Sequence, residues 1–170
     1  MCNVWEDFST TYETCLPLVL RFTLARVPDS RVAEDLVGDV FERALRGWPS
    51  FQRRSLVHTW ILGIARHVIA DYWRRNASPP LRLELLHAEL PTMSDLTLEE
   101  EAQRRDDEQR LKQAITQLSA QDQDMLALRY AADLPEREIA VVLGVREGTV
   151  RVRMHRLKNR LRVILSEKEQ

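Results

Sequence analysis

Apolar residues recur at helical spacing along most of the chain. From Val4 to Arg26 they fall at Trp5, Phe8, Tyr12, Cys15, Leu16, Val19, Leu20, Phe22 and Leu24, three or four apart, which is the repeat of one helical face. Pro17 lies inside this run and is expected to kink or divide the helix, because proline removes a backbone donor. Pro28-Asp29-Ser30 supplies a stop and a cap, after which Leu36, Val37, Val40, Phe41, Ala44, Leu45 and Trp48 mark a second amphipathic helix. Gly47 to Ser50 end it. A basic loop, Phe51-Gln52-Arg53-Arg54, leads to a third helix with Trp60, Ile61, Ile64, Ala65, Val68, Ile69 and Tyr72 on one side.

This first unit closes near Asn76. Residues 77–106 open with Ala77-Ser78-Pro79-Pro80, contain Pro91 and carry the run Glu99-Glu100-Glu101, the profile of a linker. Periodicity resumes near Asp107 with Leu111, Ala114, Ile115 and Leu118, restarts after Ser119 with Met125, Leu126 and Leu128, and ends in two further helices. The expected fold is therefore all-α, with two small helical domains, 1–76 and 107–170, joined by an acidic linker.

Composition agrees: Leu, Ala, Arg and Glu dominate and only 5 residues are Gly, a balance that favours helix over sheet. The net charge of −1 alone argues against a nucleic-acid binder, but its distribution reverses that inference. Residues 79–110 carry 4 basic against 9 acidic side chains, whereas 146–162 carry 7 against 1. An acidic connector feeding a basic end is the layout of a modular nucleic-acid binder. Cys2 and Cys15 form no CxxC, and His58, His67, His87 and His155 are scattered, so no metal, cofactor or catalytic constellation is expected. No apolar run approaches the ~18 residues of a bilayer span, and no leader pattern opens the chain; a cytoplasmic protein without membrane insertion is expected.

The segment Asp133 to Gly144 reads as a short helix with Pro135 in its first turn and Gly144 as a left-handed stop. After Gly144-Val145-Arg146 a second helix starts at Glu147. Two helices about a tight glycine turn, with Ile139, Ala140 and Leu143 inward, make a helix-turn-helix. At about 100° per residue, Val150, Met154, Leu157 and Leu161 share one side of the second helix. The opposite side presents Gly148, Arg151, Val152, His155 and Arg156, flanked by Arg153, Lys158, Arg160 and Arg162. Guanidinium groups can fork onto guanine in a major groove while flanking cations displace counterions from phosphates. A solvated basic helix is the plainer alternative.

The stretch from Leu134 to Lys158, with its Glu-Ile-Ala, Leu-Gly and Gly-Thr-Val-Arg elements, resembles the minus-35 reading helix-turn-helix of extracytoplasmic-function sigma factors. Upstream, Ala33 to Ala44 is similar to the family's polymerase-clamp helix, and Thr59 to Arg75 to its minus-10 helix. The resemblance implies a partner, RNA polymerase core enzyme, docked through Asp35, Asp39 and Glu42 with neighbouring Leu36 and Phe41; an ordinary acidic face over a core stripe is the alternative. It implies that Phe51 to His58, with Arg53 and Arg54, capture a flipped base of promoter DNA, and that Arg66, Tyr72, Trp73, Arg74 and Arg75 follow the melted minus-10 strand. Cations and aromatics interleave there, and that suits unpaired bases. Trp60 reads as core; Trp73 reads equally as core or as a stacking platform. The minus-35 duplex falls to Arg146, Gly148, Thr149, Arg151, Val152, Arg153, His155, Arg156 and Lys158. The resemblance further implies an anti-sigma partner, a linker threading toward the polymerase cleft, and no catalysis.

Three positions depart from the family pattern. Gly38 stands where Gln is usual, removing one expected clamp contact. Arg146 replaces the common Ser or Pro before the recognition helix, exchanging a side-chain cap for a phosphate contact. Val152 occupies a frequent Ser position and is expected to touch a thymine methyl. A stand-alone dimeric helix-turn-helix regulator would explain residues 111–170 but not the N-terminal half. An enzyme would need a convergent titratable cluster, such as HExxH, that the sequence lacks.

Overall fold

The computed structural model describes residues 4–52, 55–76, 106, 109–111 and 113–166. Among them every regular element is helical. Three helices build the N-terminal half: α1 (Val4–Arg26), α2 (Ser30–Gly47) and α3 (Val57–Arg75), each packed on the other two. The Asp29 carboxylate accepts the amides of Arg31 (2.9 Å) and Val32 (3.2 Å), so donors left open at the start of α2 are satisfied as the stop-and-cap pattern predicts. Ala33, Leu36, Val37, Val40, Phe41 and Ala44 form the buried stripe of α2, and Ile61, Leu62, Ala65, Val68 and Ile69 that of α3.

α1 is not divided at Pro17; it is a single helix through that residue. The proline does cost one backbone bond. Burial of Cys15, Val19, Phe22 and Ala25 on both sides of it keeps the two halves of the helix on one core.

A short 3-10 turn, Trp48–Ser50, links α2 toward α3 and heads an aromatic cluster. Trp48 meets Phe8 edge-on at 5.3 Å and Phe51 in a stack at 5.8 Å, and Phe51 stacks on Trp60 at 4.6 Å. Trp60 is thus packed against the core, as expected, though only partly buried.

In the C-terminal half, helical residues 113–116 precede α4 (Ala120–Leu126), which is capped by Ser119. A widened π turn, Ala127–Ala131, follows without a break, then α5 (Glu136–Leu143) and α6 (Glu147–Ser166). Pro135 is the cap of α5 instead of lying in its first turn. Its missing donor costs nothing there. Gly144 takes φ 67° and ψ 34°, and the amides of Val145 and Gly144 reach back to Ala140 (3.0 Å) and Val141 (3.2 Å). That pair of bonds is a Schellman stop, and it sets the tight angle between α5 and α6.

The halves close on each other. α1 packs on the π turn and α3 on α5, so one apolar cluster runs from Phe22 and Ile69 to Leu128 and Ile139.

Candidate nucleic-acid interface

α6 is split lengthwise by its sequence. Val150, Met154 and Leu157 are buried and Leu161 is half-buried, whereas Arg146, Gly148, Thr149, Arg151, Val152, His155, Arg156 and Lys158 are exposed. Because Val150 is fully enclosed against the rest of the module, the helix cannot rotate, and the exposed strip is presented in a fixed orientation. Arg151 sits near its centre. It donates to Glu136 (3.0 Å) at the start of α5 and to Glu147 (2.8 Å) one turn back, and hydrogen bonding to Glu136, aided by both negative charges, raises its proton affinity further. These two ion pairs tether the guanidinium between the start of α5 and the first turn of α6. Val152 is half exposed, an apolar spot among cations.

Arg153 does not belong to that strip. Its guanidinium turns back onto α4, donating to Gln121 (2.9 Å) and pairing with Asp122 at 3.0 Å. It fastens α6 to α4, and the reason is its position: one step beyond Val152 turns the side chain toward the acidic start of α4.

The second group of expected DNA contacts lies mainly on α3. His58, Arg66 and Trp73 fall within about 80° of one another on a helical wheel, and the first two face the C-terminal half. His58 Nε2 is 2.6 Å from Glu138 Oε2 of α5. Arg66 donates to Asp124 Oδ2 of α4 at 3.1 Å. The Trp73 indole donates to the carbonyl of Arg26 at 3.2 Å and its ring meets Tyr72 edge-on at 4.6 Å. Arg74 and Arg75 are exposed beside Asp71, Arg74 pairing with its carboxylate at 2.6 Å and Arg75 donating to its carbonyl. Phe51 is held in the aromatic cluster; Arg53 and Arg54, and all of 77–106 except Asp106, lie outside the described residues.

On α2, Asp35, Asp39 and Glu42 form an exposed acidic row. Leu36 and Phe41, expected beside them as docking residues, are only 7% and 5% exposed. Phe41 packs edge-on against Tyr12 of α1 at 4.5 Å. Both serve the core, because the heptad-like spacing that makes α2 amphipathic turns them inward; a docking face on α2 is acidic without them. Cys15 is buried and burial pushes its thiol up from the ordinary value, which disfavours the reactive thiolate. No cluster of metal-binding side chains exists among the described residues.

Sequence reasoning missed Arg26. Only 2% exposed, it donates through Nε to Asp124 Oδ1 at 2.8 Å and also to the Gln123 side-chain oxygen. Nothing but its place at the end of an apolar run could have marked it.

Comparison with known proteins decides the family. Residues 11–78 match the model of Sigma-70 region 2, and residues 108–161 that of Sigma-70, region 4. The chain is 32% identical over 143 residues to the ECF RNA polymerase sigma factor SigC of Mycobacterium tuberculosis, covering 84% of this chain and 75% of the relative. The chain belongs to the ECF RNA polymerase sigma factors. It is also 27% identical over 157 residues to the RNA polymerase sigma factor YlaC of Bacillus subtilis, covering 92% and 91% of the two chains. The sigma factor RpoE of Bartonella quintana, solved with the anti-sigma factor NepR, shares its fold at a TM-score of 0.65 and 24% identity, over 96% of this chain and 99% of that one. As a sigma factor the chain is a transcription-initiation protein that directs RNA polymerase to promoters, and the two halves of the fold correspond in order to two conserved sigma regions. That order accounts for the N-terminal half, which a stand-alone helix-turn-helix regulator leaves unexplained. Among the described residues no helix is long and apolar enough to cross a membrane.

Proposed function

We propose that the two halves divide promoter reading, with residues 1–76 taking the melted minus-10 strand and the core polymerase, 107–170 taking the minus-35 duplex, and 77–106 linking them. The observation that carries this reading is the exposed strip of α6, fixed by buried Val150 and preceded by the left-handed stop at Gly144. Such a helix enters a major groove by its N-terminal part. Arg151 and Arg156 then read or neutralise, Arg146 and Lys158 meet phosphates, Gly148 and Thr149 allow close approach, and Val152 and His155 contact base edges. On the other half Phe51, Arg53, Arg54, His58, Arg66, Tyr72, Trp73, Arg74 and Arg75 serve unpaired bases and their phosphates, and Asp35, Asp39 and Glu42 dock on the polymerase clamp. Joining two weak readers on one polymerase raises the effective concentration of each.

The protein acts in the cytoplasm, performs no chemistry of its own, and is held inactive by an anti-sigma partner, a reading supported by the family resemblance. Run-off transcription with purified core enzyme on a genomic library tests the whole. Initiation at a defined promoter set is expected. Failure to start RNA chains with folded, inhibitor-free protein overturns the proposal.

A further inference from the structure

Carboxylates claim two of the cations on α6, in opposite ways. Arg153 is turned back onto α4 by Gln121 and Asp122, whereas Arg151 stays two-thirds exposed while Glu136 and Glu147 hold it. Among the described residues no carboxylate pairs with Arg146, Arg156 or Lys158. Glu136 reaches Arg151 from 15 residues earlier in the chain, across the turn that Gly144 closes. Each carboxylate sits in the first turn of its helix, where the helix dipole favours negative charge.

The atoms used decide what the guanidinium can still do. Nε donates to Glu136 and Nη2 to Glu147, and these two nitrogens share one edge of the guanidinium plane. Nη1 donates to none of the described residues, so the terminal edge, Nη1 with the second hydrogen of Nη2, stays available as a planar fork. That edge matches the O6 and N7 acceptors of guanine. Exposed ion pairs add little to stability, so holding the fold together is a poor account of a double one here. What the pair of carboxylates does remove is rotamer freedom from a long side chain before it meets DNA. It also reverses the local charge: two carboxylates outnumber one guanidinium, so the group as a whole gains nothing by displacing counterions from a phosphate. Arg146, Arg156 and Lys158 keep that role.

We propose that Glu136 and Glu147 are positioning residues for base reading: they aim the terminal edge of Arg151 at a guanine of the minus-35 duplex and deny it to phosphates. Arg151 then supplies specificity, while Arg146, Arg156 and Lys158 supply affinity. This assignment deepens the minus-35 role of α6 and rests on it. Glu136 is the sharper case, because it belongs to α5 and so couples the aim of Arg151 to the angle between the two helices.

The test uses holoenzyme made from the full chain and purified core enzyme, with Glu136→Gln, Arg151→Ala, the two changes combined, and Arg146→Ala as a phosphate control. Run-off transcription on promoters randomised in the minus-35 element gives the base preference at each position, and promoter binding between roughly 50 and 200 mM salt gives the salt slope. Arg151→Ala is expected to erase a guanine preference at one position and keep the salt slope of wild type, whereas Arg146→Ala lowers the slope by about one and leaves the preferences alone. Glu136→Gln is expected to weaken that same guanine preference about three- to tenfold without weakening promoter binding, and to have no effect on preference once Arg151 is Ala. A merely structural role for Glu136 would persist in the combined variant. Unchanged preference in Glu136→Gln, an effect of it that survives the loss of Arg151, or a slope lowered by about one in Arg151→Ala overturns the proposal and leaves the promoter assignment standing. A folded wild-type chain that starts RNA with no base preference anywhere in the minus-35 element overturns that assignment, and the proposal with it.

Discussion

The ring of Phe51 stacks on that of Trp60 with centroids 4.6 Å apart and planes 25° from parallel. A loop residue expected to reach for a base is thereby anchored to the first turn of α3, and Trp48 packs against both rings. Phe51→Ala is expected to lower stability by about 1–2 kcal/mol, an aromatic pair plus part of its buried area, while Phe51→Tyr stays near wild type. Urea unfolding followed by tryptophan fluorescence checks both; an Ala variant with an unchanged midpoint contradicts the anchoring.

Gly38 is exposed in the middle of α2, and a Cβ placed there meets no atom within 4 Å. Gly38→Gln, which restores the residue usual in the family, is expected to raise stability by up to about 1 kcal/mol through helix propensity alone. Thermal unfolding of the two proteins side by side measures it.

Gly144 presents the opposite case. Its φ of 67° is left-handed, so Gly144→Ala is expected to cost about 1–2 kcal/mol although space is available. Asn should be tolerated better than Ala. Because the turn sets the angle of α6, duplex affinity should fall with stability in the Ala variant, which a gel shift on minus-35 duplex reads directly.

Val152 stands half exposed on the α6 strip. Exchanging it for Ser is expected to alter preference at a single promoter position, away from thymine, by about 1 kcal/mol, the low end for one base contact. Profiling minus-35 variants for both proteins gives the answer, and an identical profile removes Val152 from the reading face.

Asp71 ties α3 to α2. Partial burial pushes its carboxyl upward, but hydrogen bonds and charge from Arg43 and Arg74 outweigh that and hold it below its ordinary value. A group depressed in the folded state contributes stability above its unfolded pKa and loses it as pH falls through the folded one. Asp71→Asn should therefore be less stable than wild type at neutral pH, with the gap closing on acidification into the carboxylate range. Denaturation midpoints that differ equally at neutral and acid pH would refute this.

Periodicity was enough to find the six principal helices, the Asp29 cap and the Gly144 stop, because each depends on local chemistry. It also separated the exposed strip of α6 from its buried side, since a run of cations opposite Val150, Met154 and Leu157 leaves little choice. It failed where a partner distant in sequence decides. Arg153 reads with its neighbours, but Gln121 and Asp122 claim it; Leu36 and Phe41 read as part of a docking face, but both are buried, Phe41 against Tyr12 of α1. Pro17 shows tertiary burial overriding a local breaker. Arg26 gave no local signal at all, because its meaning lies in Asp124, and no spacing rule connects α1 to α4.

The joint that Arg26 completes is apolar as well as ionic, since Phe22, Leu128 and Ile139 share a single core across it. Parting such a surface wets hydrocarbon and so carries a positive heat capacity, and burial of that kind weakens on cooling. Cooling therefore weakens the apolar share of this joint and leaves more of the hold to Arg26 and its ionic partners.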